Sequence, residues 1–110
     1  MIGSIVMIVI GALVIVVGVL AWRERLPRNR LAGVRTSATM RSDRAFVAGN
    51  RAAGPMMTIG GVAAMASGAI GAWLPDPKAD GWVLIGALSM AIFSIIGAVQ
   101  AGRAADRADT

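Results

Sequence analysis

Residues 2–22 read Ile-Gly-Ser-Ile-Val-Met-Ile-Val-Ile-Gly-Ala-Leu-Val-Ile-Val-Val-Gly-Val-Leu-Ala-Trp, 21 positions without one ionisable side chain. At 1.5 Å rise per residue such a run makes a helix about 32 Å long, the thickness of a bilayer's hydrocarbon core. Two more uncharged runs follow, Met56 to Leu74 (19 residues) and Trp82 to Val99 (18 residues), which reach about 28 and 27 Å. The composition agrees. Of 110 residues 56% are hydrophobic and 15% charged, and the mean hydropathy is +0.69, against roughly 45–50% apolar and 25% charged in soluble domains. A chain this short buries too little surface in water to hide so many apolar side chains. The three tryptophans, Trp22, Trp73 and Trp82, all fall at run ends, where an amphipathic indole sits at headgroup level. The first run has no basic residue before it, exceeds a signal peptide's usual apolar stretch and is followed by charges, so it reads as a retained anchor.

The expected fold is an all-α membrane protein forming a single domain. Its spans cover about 2–22, 56–74 and 82–99, joined by a basic loop 23–55 and an outer turn 75–81 and followed by a polar tail 100–110. Between Arg23 and Arg51 lie eight arginines and two acids, a net of +6, whereas the turn holds Lys78 against Asp76 and Asp80. Basic loops stay on the cytoplasmic side. The expected topology in a bacterial inner membrane is therefore N-terminus outside and C-terminus inside.

Several function classes fall away on composition. There is no cysteine and no histidine, which removes disulfides, thiol nucleophiles and zinc sites built on those residues. The spans hold no ionisable group, whereas proton-coupled exporters of similar length depend on an intramembrane glutamate. No catalytic, cofactor-binding or metal-ligating arrangement is present, and no phosphate-binding loop ending, so the expectation is a non-enzyme without cofactor. A pI near 11.6 suggests nucleic acid, but the loop has no aromatic stacking platform and no recognisable module for it. The partners expected are the anionic headgroups of the bilayer and another membrane protein, a peptide toxin or a second copy of the chain.

Small residues mark where helices meet closely. Gly60, Ala64, Gly68 and Ala72 repeat every four positions in the second span, Ser4, Gly11 and Gly18 every seven in the first, and Ala87, Ala91, Ser94 and Ala98 line one side of the third. Packing within one three-helix bundle and a homodimer seam both fit these stripes.

The loop is far longer than a connection between two spans needs. Pro27 and Gly33 break helix after the first span. Ser42 reads as an N-cap with Asp43 in the first turn, opening a short amphipathic interfacial helix that runs to about Ala53 and ends at Gly54-Pro55. On it Phe46, Asn50 and Ala53 share one face and Arg44 and Arg51 another, and Gly49 weakens it.

Within this loop Asn29, then Gly33, Arg35, Thr36, Thr39, Ser42, Phe46, Asn50 and Arg51 stand at the spacing of a pattern that resembles the SdpI family of bacterial membrane proteins, whose best-known member gives immunity to a secreted peptide toxin. Phe46 stands where tryptophan is common, keeping the apolar anchor and losing the indole donor. The resemblance covers the chain from the first span into the second, with the third agreeing in position. It implies a protein that acts by binding a toxin, a lipid or a membrane partner. An accessory subunit of a larger membrane complex is the alternative, and a holin-like pore former has the right size but leaves the loop pattern unexplained. Arg35 carries a planar guanidinium able to hold two acceptors, with the hydroxyls of Thr36 and Thr39 beside it. Two readings of these residues stand open: a binding locus, or a clip in which Arg35 and the hydroxyls hold turn carbonyls and Asn50 ties the helix back.

Overall fold

A computed structural model describes residues 2–29, 32–75 and 77–108; the charged residues Arg30, Asp76 and Asp109 lie outside them. Three long helices make the fold: α1 (Ile2–Trp22), α2 (Asp43–Ala72) and α3 (Lys78–Ala108), with a 3-10 turn at Thr39–Arg41 ahead of α2. All three are long and apolar enough to cross a membrane. The bounds of α1 are those of the first uncharged run. It stops where Glu24 turns into the left-handed region at φ 59°, so that the amide of Arg25 donates to Leu20 O and that of Glu24 to Ala21 O. This is a Schellman ending built without the glycine that usually supplies it.

The expected short interfacial helix is not a separate element. Ser42 is the N-cap, its side chain accepting from the Ala45 amide, and Asp43 lies in the first turn, but α2 then runs unbroken for 30 residues with Pro55 inside it. Proline withdraws one amide from the Arg51 carbonyl and crowds it. The helix is held through that point because its backbone is gripped on both sides. A Cβ on Gly54 would meet Trp22 at 2.6 Å, and one on Gly97 of α3 would lie 3.5 Å from the Ala53 Cβ. Phe46, Asn50 and Ala53 do share a buried face, with Arg44 and Arg51 exposed.

α2 lies between the other two helices, which touch each other far less than either touches it. Against α1 it runs antiparallel, with Thr58 opposite Gly18, Gly61 opposite Gly11 and Gly68 opposite Ser4; against α3, Gly71 faces Ala79, Ala64 faces Gly86 and Gly49 faces Ala101. Gly60, Ala64 and Gly68 are buried and Ala72 only partly so. They do not serve one neighbour: Gly60 abuts Phe93 of α3, and Gly68 abuts Ser4 and Ile8 of α1. On α3 the stripe expected at Ala87, Ala91, Ser94 and Ala98 faces largely outward, and the buried positions are Ala79, Gly86, Gly97, Ala101 and Ala105.

The molecule is 52 Å long, about 20 Å more than a hydrocarbon core. Much of the surplus lies on the loop side. Gly54 of α2 and Gly97 of α3 stand near the level where α1 ends, so residues 43–53 and 98–108 each project about 16 Å beyond it. Those two helical ends and the loop form a collar over the end of α1.

Candidate functional site

The collar is built around a small apolar centre. Phe46 is fully buried with Ala21 and Leu26, and Val17, Leu20, Ala32 and Met40 pack on that cluster. Leu26, a lone apolar side chain among charges, thereby anchors the start of the loop. From there the chain turns on itself: the Asn29 amide donates to Pro27 O at 2.7 Å and its Oδ1 accepts from the Ala32 amide at 2.7 Å.

Gly33 follows at φ +93°, a conformation open to glycine and costly to other residues. Space demands glycine as well, since a Cβ there would stand 2.7 Å from Asn50 Oδ1 and 2.8 Å from Leu26 Cδ2. Asn50, 1% exposed, accepts from the Val34 amide at 2.6 Å and donates to Val34 O at 3.1 Å and to Phe46 O at 3.0 Å. Thr39, also fully buried, accepts from the Thr36 amide at 2.9 Å and donates to Val34 O at 2.8 Å, while its own amide donates to Thr36 Oγ1 at 3.3 Å. Its methyl lies against Gly49, where a Cβ would meet Thr39 Cγ2 at 2.8 Å and Ala101 O at 2.9 Å. Gly49, read from sequence as a weak point, is the place where loop, α2 and α3 come together.

Ion pairs close the frame from outside. Arg28 reaches Asp43 at 3.0 Å and donates to Met40 O, Arg51 pairs with Glu24 at 3.4 Å, and Arg41 pairs with Asp106 of α3 at 2.7 Å. Glu24, Arg28, Arg41 and Asp106 are not singled out by the sequence, and Asp43 only as a first-turn residue of the helix that Ser42 caps. The loop pattern thus divides. Asn29, Gly33, Thr36, Thr39, Ser42, Phe46 and Asn50 build the frame, and Arg51 lies on its outer side. Arg35 holds no turn carbonyl: it is exposed, with no ion pair or hydrogen bond among the described residues. The Thr39 hydroxyl is enclosed and already engaged, and the Thr36 hydroxyl is turned to Thr39, so of the three residues expected at a binding locus only Arg35 leaves its polar group without a partner among the described residues.

A model of the SdpI/YfhL protein family matches residues 25–99. The match begins in this loop and runs through the third span, further than the loop pattern alone reaches. Neither a curated protein nor a solved structure matches the chain.

Proposed function

The chain belongs to the SdpI/YfhL protein family, and from that premise we propose that this multi-pass membrane protein acts by binding, in the manner of an immunity protein that shields a bacterium from a membrane-active peptide. In this reading it lies in the bacterial inner membrane with the N-terminus outside and the collar in the cytoplasm, the side favoured by a loop of net +6. It needs no cofactor and performs no catalysis. The contact surface is the loop, and its specific group is Arg35.

One observation carries the proposal: the other loop-pattern side chains are used in holding the collar together, whereas the Arg35 guanidinium is left outward on a frame that has already lost its conformational freedom. A donor fork held on a rigid support binds a carboxylate or phosphate with little further ordering cost. The test is to express the chain in a bacterium sensitive to a membrane-inserting peptide and to count survivors. Protection by the natural chain, lost with Arg35→Gln at equal membrane abundance, is the expected result. Equal killing with and without the chain would end the immunity reading.

A second reading, an accessory subunit of a larger complex, is favoured by the outward face of α3, where Ala87, Ala91 and Ser94 are exposed together and leave room for a partner helix. Affinity purification in mild detergent separates the two. A stoichiometric large partner supports the subunit, and a lone species that protects cells supports immunity.

A further inference from the structure

Under the loop, between α1 and α2, lies a shallow groove of about 230 Å³ lined by Leu13, Val14 and Val17 of α1, Met57 of α2, and Ala32 and Gly33 of the loop. No polar side chain among the described residues contributes to it. Its roof is fixed, because the next residue, Val34, is held through both backbone groups by the buried Asn50. Trp22 marks the end of α1, and Val17 and Leu13 lie five and nine residues before it, about 8 and 14 Å deeper. The groove therefore lies about 8 to 14 Å below the level of Trp22, in the acyl region.

Size and charge together decide what fits. A helix about 10 Å across would displace roughly 470 Å³ over the 6 Å between Leu13 and Val17, about twice the space present, whereas one extended hydrocarbon chain is narrow enough. Above the roof the charge is basic and partly unspent. Arg28, Arg41 and Arg51 have carboxylate partners, but Arg35 has none among the described residues, and two residues of chain keep its Cα within about 7 Å of that of Gly33. We propose that the groove and Arg35 form a site for one anionic phospholipid, with an acyl chain along Leu13, Val14 and Val17 beneath the Ala32–Gly33 roof and the phosphate accepting hydrogen bonds from the Arg35 guanidinium. This rests on α1 and α2 spanning a bilayer with the loop at one face, and is independent of any toxin.

The experiment is native mass spectrometry of the purified chain in detergent, titrated with phosphatidylglycerol or phosphatidylcholine. One phosphatidylglycerol retained per chain is expected, favoured about fivefold over phosphatidylcholine, the ratio for one surface charge. Arg35→Gln, at an exposed position, should erase the preference and keep the fold. Val17→Trp should fill the groove and abolish retention of both lipids, whereas Leu88→Trp, on the exposed face of α3, should behave as the natural chain. Equal retention of the two lipids, no retention of either, an unaltered preference in Arg35→Gln, or undiminished retention in a folded Val17→Trp would each overturn the site. Displacement by glycerol phosphate alone would reduce it to a free-phosphate site and overturn the acyl groove. Failure of the membrane placement itself would appear separately, in reporter fusions.

Discussion

Val34 and Asn50 stand sixteen positions apart in the chain and are joined twice, amide to Oδ1 at 2.6 Å and carbonyl to Nδ2 at 3.1 Å. The Asn50 side chain thus imitates a neighbouring peptide group and satisfies an irregular stretch of backbone that has no helix or strand to do so. That substitution is what lets a loop adopt one shape beside the membrane.

Removing this pairing should loosen the collar. Asn50→Ala orphans the Val34 amide, at about 1–3 kcal/mol for a buried group, while the Val34 carbonyl keeps the Thr39 hydroxyl. Asn50→Asp should be worse, because a carboxylate donates nothing to Val34 O or Phe46 O and brings a charge into a closed site. Gly33→Ala should also destabilise, through its positive φ and its contact with Asn50. Reversible denaturation in mixed detergent measures all three, and an Asn50→Ala as stable as the natural chain would remove the frame from the account.

Close helix approach gives a second expectation. A Cβ on Gly68 would meet Ser4 O at 2.8 Å and one on Gly11 would meet Gly61 O at 2.6 Å, whereas Gly102 has open space. Gly68→Ala and Gly11→Ala should lower stability by forcing backbones apart, while Gly102→Ala should raise it by up to about 1 kcal/mol through helix propensity. Equal effects at the three positions would contradict the packing described.

These contrasts also mark what the sequence disclosed. The bounds of α1 were legible because charge begins where its helix ends. α2 and α3 were read too short, since Arg44, Arg51, Arg103 and Arg107 mark the edge of the apolar layer, and a helix has no reason to stop there. Pro55 read as a break because its cost is local, whereas the grip of Trp22 on Gly54 is made by residues distant in sequence. The outward stripe of α3 misled for a similar reason: even spacing of alanines says which residues share a face, and only the partner decides which face is used. Which loop residues would share a site was not legible either. Thr36 and Thr39 look alike in sequence, yet Thr39 is enclosed and Thr36 is exposed.

Ser4 offers a third test. Its Oγ is buried with no hydrogen-bond partner among the described residues, beside Gly71, and an unsatisfied buried hydroxyl is a cost. Ser4→Ala should leave stability unchanged or raise it, read by the same denaturation, and a marked loss would show that the hydroxyl has a partner in the membrane.

The collar's outer ion pair should matter little. Arg41 and Asp106 are both about half exposed, and such pairs contribute about 0.2–1 kcal/mol, less as salt rises. A double-mutant cycle of Arg41→Ala and Asp106→Ala at low and high salt measures it. Coupling well above that range would mean that the pair is shielded from water.

The proposed orientation rests on the charge of the loop and is checked by fusion. A periplasm-dependent reporter should be active when inserted at Lys78 and silent at the C-terminus. The reverse pattern would move the collar to the outside.

The central claim is that the loop is a frame presenting Arg35, and Arg35→Lys measured for both stability and protection tests it most directly. Lysine keeps the charge and loses the planar fork, and Arg35 bonds to nothing in the frame among the described residues. The account predicts a denaturation midpoint equal to that of the natural chain together with reduced survival under peptide challenge, while Arg25→Lys is silent in both. Loss of stability in Arg35→Lys, or protection as full as with Arg25→Lys, would contradict it.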